Sequence, residues 1–204
     1  MTLQQLMSTA TAGLGNRLDL TVSQVSLQVN LAQQEIATML PMTELMKTGT
    51  IVLAAASSAT VVPADFAEAV DVFRVNSFDS FGYRLLTLVP PREIDNAADS
   101  TGTAAGQSNR YAISGNSFMV YPPSASLDTL TLRYVAVPTD MTALTALPSL
   151  ATRYHAAILY KTQENLCDMV ADNQRAAYFR NKTISVLGTV PTPSDVLNRS
   201  ERTL

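Results

Sequence analysis

The segment Ser114-Gly115-Asn116-Ser117 constrains this chain more than any other. It separates Tyr111 and Ile113 from Phe118 and Val120, and a Gly-Asn pair supplies the positive φ angles that a two-residue hairpin turn demands. Pro122-Pro123 then removes two ladder donors and opens a turn through Ser126. A third strand follows, in which Leu130, Leu132 and Tyr134 alternate with Thr129, Thr131 and Arg133, giving one apolar and one wet face. The stretch from Arg110 to Pro138 is therefore β-structure, and helical patterns flank it on both sides.

Before it, Leu3, Leu6, Met7 and Ala10 recur at helical spacing, so a short helix ending near Thr11 is expected ahead of Gly13 and Gly15. Thr21 with Gln24 reads as a capping box, and Val22, Val25, Val29, Ala32, Ile36 and Met39 form a stripe up to Pro41. The opposite face, with Gln24, Gln28 and Gln34, is polar yet nearly uncharged, which suits a surface that another subunit covers. Ile51–Leu53, Val61-Val62, the segment bearing Val70, Val72, Phe73 and Val75 to which Ala64-Asp65-Phe66 leads, and Tyr83 to Leu88 read as further strands. Asp95 to Asn109, rich in small and polar residues without an apolar period, is expected to be a mobile loop able to touch a partner.

After the sheet, Pro148-Ser149 is expected to open the longest helical segment, interrupted near Asp172 and Asn173. A last helix from about Gln174 carries Ala177, Phe179, Ile184 and Leu187, with Gly188 placed as its C-terminal cap. The tail has only Val190, Val196, Leu197 and Leu204 as apolar anchors and cannot fold by itself. The expected fold class is α+β: a helical bundle formed by the N- and C-terminal helices (1–48 and 141–188), an inserted antiparallel β-lobe (49–140), and an extended tail (189–204).

Chemistry is hard to find. The 204 residues, 47% of them hydrophobic and 15% charged, suffice for a core, and the net charge of −3 supplies no broad footprint for nucleic acid. Neither a secretory signal nor a membrane span is evident, since the best apolar run covers Ile51 to Val62 against the roughly 20 residues a bilayer needs; a soluble intracellular product is expected. The single cysteine, Cys167, excludes an internal disulfide, and the single histidine, His155, lacks a helical metal partner. Asp65 with Asp71, or Asp95 with Asp99, could pair as glycosidase carboxylates but lie in a turn and a low-complexity stretch. Phosphate-cradling motifs are absent. Arg175, Arg180 and Lys182 cluster on the last helix behind Asp168 and Asp172, a pattern that favours a solvated or inter-subunit salt-linked face. No cofactor, metal or catalytic residue is indicated.

Several segments in succession carry a resemblance: Val62-Pro63-Ala64-Asp65-Phe66; Arg110-Tyr111-Ala112-Ile113 with Gly115; Phe118-Met119-Val120-Tyr121-Pro122; and Leu130-Thr131-Leu132-Arg133-Tyr134 before Pro138. It continues through Tyr154 to Tyr160 and Ala176-Ala177-Tyr178-Phe179. Their order and spacing resemble the head-to-tail adaptor, or connector, proteins of tailed bacteriophages.

The resemblance implies a structural virion protein at the neck, assembled in the host cytoplasm. It forms a dodecameric ring beneath the portal protein, docks a downstream tail or neck protein, and lets DNA pass transiently through the lumen without sequence specificity or any membrane. The partner-docking residues expected on this reading are Gln24, Gln28, Arg133, Arg175, Arg180, Val190, Val196 and Leu197. The competing reading is a receptor- or glycan-binding β-module, with Tyr83, Tyr111 and Tyr121 as a stacking platform. An enzyme of unknown type is a third, without a convergent polar constellation.

Overall fold

The computed structural model describes residues 1–15, 20–75, 83–101 and 105–189. Among them the chain is mixed α+β, with five α-helices and two four-stranded sheets. It divides into a helical unit, residues 1–45 with 137–204, and a β unit, residues 46–136.

In the helical unit, α1 (Leu3–Gly13) and α2 (Val22–Met39) both open on capping boxes, Thr2 with Gln5 and Thr21 with Gln24. Each box satisfies two helix donors that would otherwise lack partners. Leu3, Leu6, Met7 and Ala10 are buried, as are Val25, Val29, Ala32 and Ile36 of α2. Val22 and Met39, at the two ends of the expected stripe, are exposed instead. An interior position on α2 goes to Gln33, whose amide is satisfied by donating to Thr139 O at 3.0 Å and accepting from Ser149 N at 2.8 Å.

The longest helix is α2, not the one expected from Pro148. Residues 148–151 remain irregular because Ser149 is held by Gln33 and Thr139; a 3₁₀ turn over Thr152–Tyr154 then leads into α4 (His155–Met169). Ala171, at φ 57°, breaks the path, and Asp172 caps α5 (Asn173–Thr189) by accepting from Arg175 N at 3.1 Å. Gly188 lies inside α5 rather than capping it. Helix α4 packs against α1, α2 and α5 around Ile158, Leu166 and Cys167, all fully buried.

In the β unit, the first sheet runs β1-β8-β3-β4, where β1 is Met46–Leu53, β3 Phe66–Val75, β4 Tyr83–Leu85 and β8 Asp128–Ala136. The second runs β2-β7-β6-β5, where β2 is Ala59–Val61, β5 Thr87–Leu88, β6 Arg110–Ser114 and β7 Ser117–Tyr121. The β6-β7 hairpin closes through Gly115 at φ 56°. Asn116 has no positive φ, so a single left-handed residue at the first central position makes the turn, the geometry that demands glycine there.

Strand β8 does not extend this hairpin. After the cis Tyr121-Pro122 peptide the chain crosses to the other sheet, where β8 runs between β1 and β3. Leu130, Leu132 and Tyr134 thereby join Ile51, Leu53, Val72, Tyr111, Phe118 and Val120 in one core between two sheet faces.

The first part of the stretch expected to be a mobile loop, residues 95–101, is the second half of α3 (Pro91–Thr101). Pro91 occupies the first helical position with Glu93 in the first turn, and Ala97-Ala98 favours the helix. Ile94 is its buried anchor, and one such residue is too sparse a signal to read as a period.

Candidate functional site

The candidate surfaces begin with α2. Gln24, Leu27, Gln28, Leu31 and Gln34 recur at three- and four-residue spacing and share a side of the helix. Leu27 is 63% and Leu31 40% exposed, so this side is apolar as well as uncharged. Gln24 is exposed but engaged in the Thr21 cap, Gln28 is half-buried, and Gln34 donates to Asp140 at 3.0 Å. The two leucines are the contribution that amide counting missed; they stand at i and i+4, a signal available in the sequence.

On α5 the basic residues are already committed within the helical unit. Arg180 Nε donates to Glu164 at 2.8 Å, and Glu164 is buried, also meeting Lys161 at 3.2 Å. Lys161 in turn reaches Glu35 of α2 at 3.4 Å, so one chain of alternating charges ties α2, α4 and α5 together. Arg175 lies 3.5 Å from Asp172, and the Lys182 ammonium sits over the Tyr178 ring at 5.6 Å. Where a solvated or inter-subunit salt-linked face is expected, these links lie within one chain, and the partner of Arg180 is Glu164 of α4.

In the β unit, Arg133 projects from the wet side of β8, donating to Asp71 Oδ2 at 3.4 Å while its guanidinium lies 5.0 Å from the centre of the Phe73 ring. Thr50 and Phe73 flank Thr131, and Thr48 and Asp71 flank Arg133, so this face is threonine-rich. Asp65 accepts from Lys47 at 2.6 Å and from Tyr134 at 2.9 Å. Burial pushes its carboxyl up, but these two hydrogen bonds outweigh that and hold it below the usual carboxylate range. Burial, and then the bond to Asp65, push the Tyr134 phenol up to about 12. Asp65 and Asp71 are thus each engaged with their own cation, Lys47 and Arg133.

Tyr111 is buried and stacked on Phe118 at 5.5 Å, a core position rather than a binding platform. Buried Arg74, with no sequence signal to mark it, donates through Nε and Nη2 to the two carboxylate oxygens of Asp128 and through Nη1 to Ser108 O at 3.4 Å. His155 is buried at the head of α4, its Nδ1 accepting from the Met1 amine at 2.7 Å; burial and that positive charge lower its pKa. Cys167 is a buried core thiol. Val190, Val196 and Leu197 lie outside the described residues. Among the described residues, no group of three or more His, Cys, Asp or Glu could hold a metal ion, and no helix is long and apolar enough to cross a membrane.

The surfaces are thus an uncharged, partly apolar helix face, a neutralised basic helix and a threonine-rich sheet face, each suited to contact with another protein. The model of one protein family, SU10 adaptor protein, matches residues 1–201. The chain belongs to this family. No curated protein matches it. As an SU10 adaptor protein the chain is a phage structural protein, and its family is one of adaptors rather than enzymes.

Proposed function

We propose that this SU10 adaptor protein is a head-to-tail adaptor in the virion neck. It assembles as a dodecameric ring beneath the portal, extends the DNA channel and presents the docking surface for the next tail or neck component. The helical unit acts as one body, the β unit as a lobe inserted between its two segments, and the segment after α5 as a docking tail. The observation that carries this reading is the α2 side bearing Leu27 and Leu31 among Gln24, Gln28 and Gln34, because exposed apolar area free of charge is what a subunit contact buries. Arg133, Arg175 and Arg180 stand on surfaces open to the portal or to a tail component. The segment bearing Val190, Val196 and Leu197 meets the portal or a neighbouring copy.

A mildly acidic protein suits a channel wall, since each phosphate neutralised by Lys or Arg would add salt-sensitive drag on moving DNA. The test is negative-stain imaging and light scattering of the purified protein, alone and with portal rings. Twelvefold density on the portal is expected. Leu27→Asp with Leu31→Asp should lower the unfolding midpoint only modestly, because Leu27 is mostly and Leu31 partly exposed, while abolishing that density. A protein that ignores portal rings, or a double variant that assembles normally, would refute the reading.

A further inference from the structure

In the β unit the ladder between β3 and the chain that follows it comes apart. Strand β3 pairs antiparallel with β4 from Phe73 to Val75, and Leu86 N still donates to Val72 O at 2.8 Å. Thr87 and Leu88 then leave for the other sheet, pairing parallel with Arg110 and Tyr111 of β6. Continuing the first register would set Ala69 opposite Val89 and Ala67 opposite Pro91. Instead the two walls part around a groove of about 540 Å³, with Phe66–Ala69 on one side, Leu88–Pro91 on the other and Ile113 also lining it.

On that side, the β3 backbone from Ala67 to Val70 has no ladder partner among the described residues, and the facing Pro90 and Pro91 have no N–H to offer. Leu88 is 59% exposed at the rim. Glu68, also lining the groove, has no ion-pair partner among the described residues. An unpaired strand edge beside apolar pockets is the arrangement that accepts an added strand.

We infer that this groove takes residues 190–204 of a second copy of the chain, with Val196-Leu197 in the apolar part and Arg199 at Glu68. Three observations argue for this occupant. The segment follows α5 directly and, at roughly 3.3 Å per extended residue, reaches about 50 Å, enough to cross to a neighbour. It carries adjacent apolar residues too few to fold alone but enough to fill a groove. It also places a cation two residues beyond Leu197, matching the unpaired Glu68. The inference rests on the proposed assembly of several copies and specifies what links them.

Two measurements test it on full-length chains. First, a chain carrying Ala69→Cys is mixed with one carrying Val196→Cys under mild oxidation. A disulfide-linked pair is expected at least about tenfold above either variant alone. Rings that assemble on the portal without this link would overturn the inference and leave the adaptor reading standing, whereas a link formed only within single doubly substituted chains would also overturn it. Second, a fluorescent peptide of residues 190–204 is titrated with the protein. Glu68→Arg should weaken binding about tenfold and an Arg199→Glu peptide should restore it to that variant. A peptide that does not bind, or that binds wild type and Glu68→Arg equally, would refute the groove as its site.

Discussion

Tyr134 and Asp65 show how single residues in the β unit are tuned by one another. Burial and then the bond to the Asp65 carboxylate raise the phenol's pKa to about 12 in the fold, so its contribution is complete below the unfolded value near 10.0 and is lost as pH rises through the folded one. Asp65 is lowered, so its contribution is present above 3.8 and is lost as pH falls through the folded value. Tyr134→Phe should therefore cost about 1.5–3 kcal/mol at neutral pH, the worth of a hydrogen bond to a charged group, and should flatten the alkaline limb of a stability profile followed by denaturant titration. Arg74 is the sharper case. Its guanidinium is buried with Asp128, so Arg74→Met strands a carboxylate and should cost about 3–5 kcal/mol, seen as a fall in the urea midpoint. The sequence placed Tyr134 correctly in an alternating strand. Nothing in it marked Arg74 as interior, because a cation at a strand position reads as solvent-facing until its partner, 54 residues away, is known.

At the scale of elements, legibility followed the strength of local signals. The capping box of Thr21 and Gln24 and the hairpin around Gly115 depend on neighbours in sequence and were readable there. Gly115→Ala should cost about 1 kcal/mol, since φ of 56° is unfavourable for a residue with a Cβ, and thermal unfolding should register it. The 95–101 half of α3 reads as a loop in the sequence because the helix has one strong apolar anchor, Ile94, and a helix whose stability comes from packing on β6 and β7 leaves little periodicity behind. Ile94→Ala should accordingly melt α3 while sparing the sheets, detectable as hydrogen exchange rising over 91–101 alone. The docking residues proposed on α5 illustrate the opposite difficulty. Their clustering was visible, yet the engagement of Arg180 by the buried Glu164 depends on how α4 and α5 meet.

Over the whole molecule, each unit owns a hydrophobic core, with Ile158 and Leu166 in one and Leu132 and Phe118 in the other. Ile158→Ala and Leu132→Ala should each cost about 2–5 kcal/mol, and hydrogen exchange should place the first loss in the helices and the second in the sheets. The sequence by itself determined that the chain has helical ends around a β-rich middle, where the second helix starts, where the hairpin turns, and which face of β8 is apolar. All of these are set within a few residues by capping, turn chemistry and periodicity. Only the tertiary structure decided that β8 belongs to a different sheet from the hairpin before it, that Gln33, Arg74 and Glu164 are interior, and that β3 parts from the following chain to leave a groove between Ala67 and Pro91. Strand partners and buried polar pairs are chosen by residues far apart in the chain, and no local pattern carries that choice.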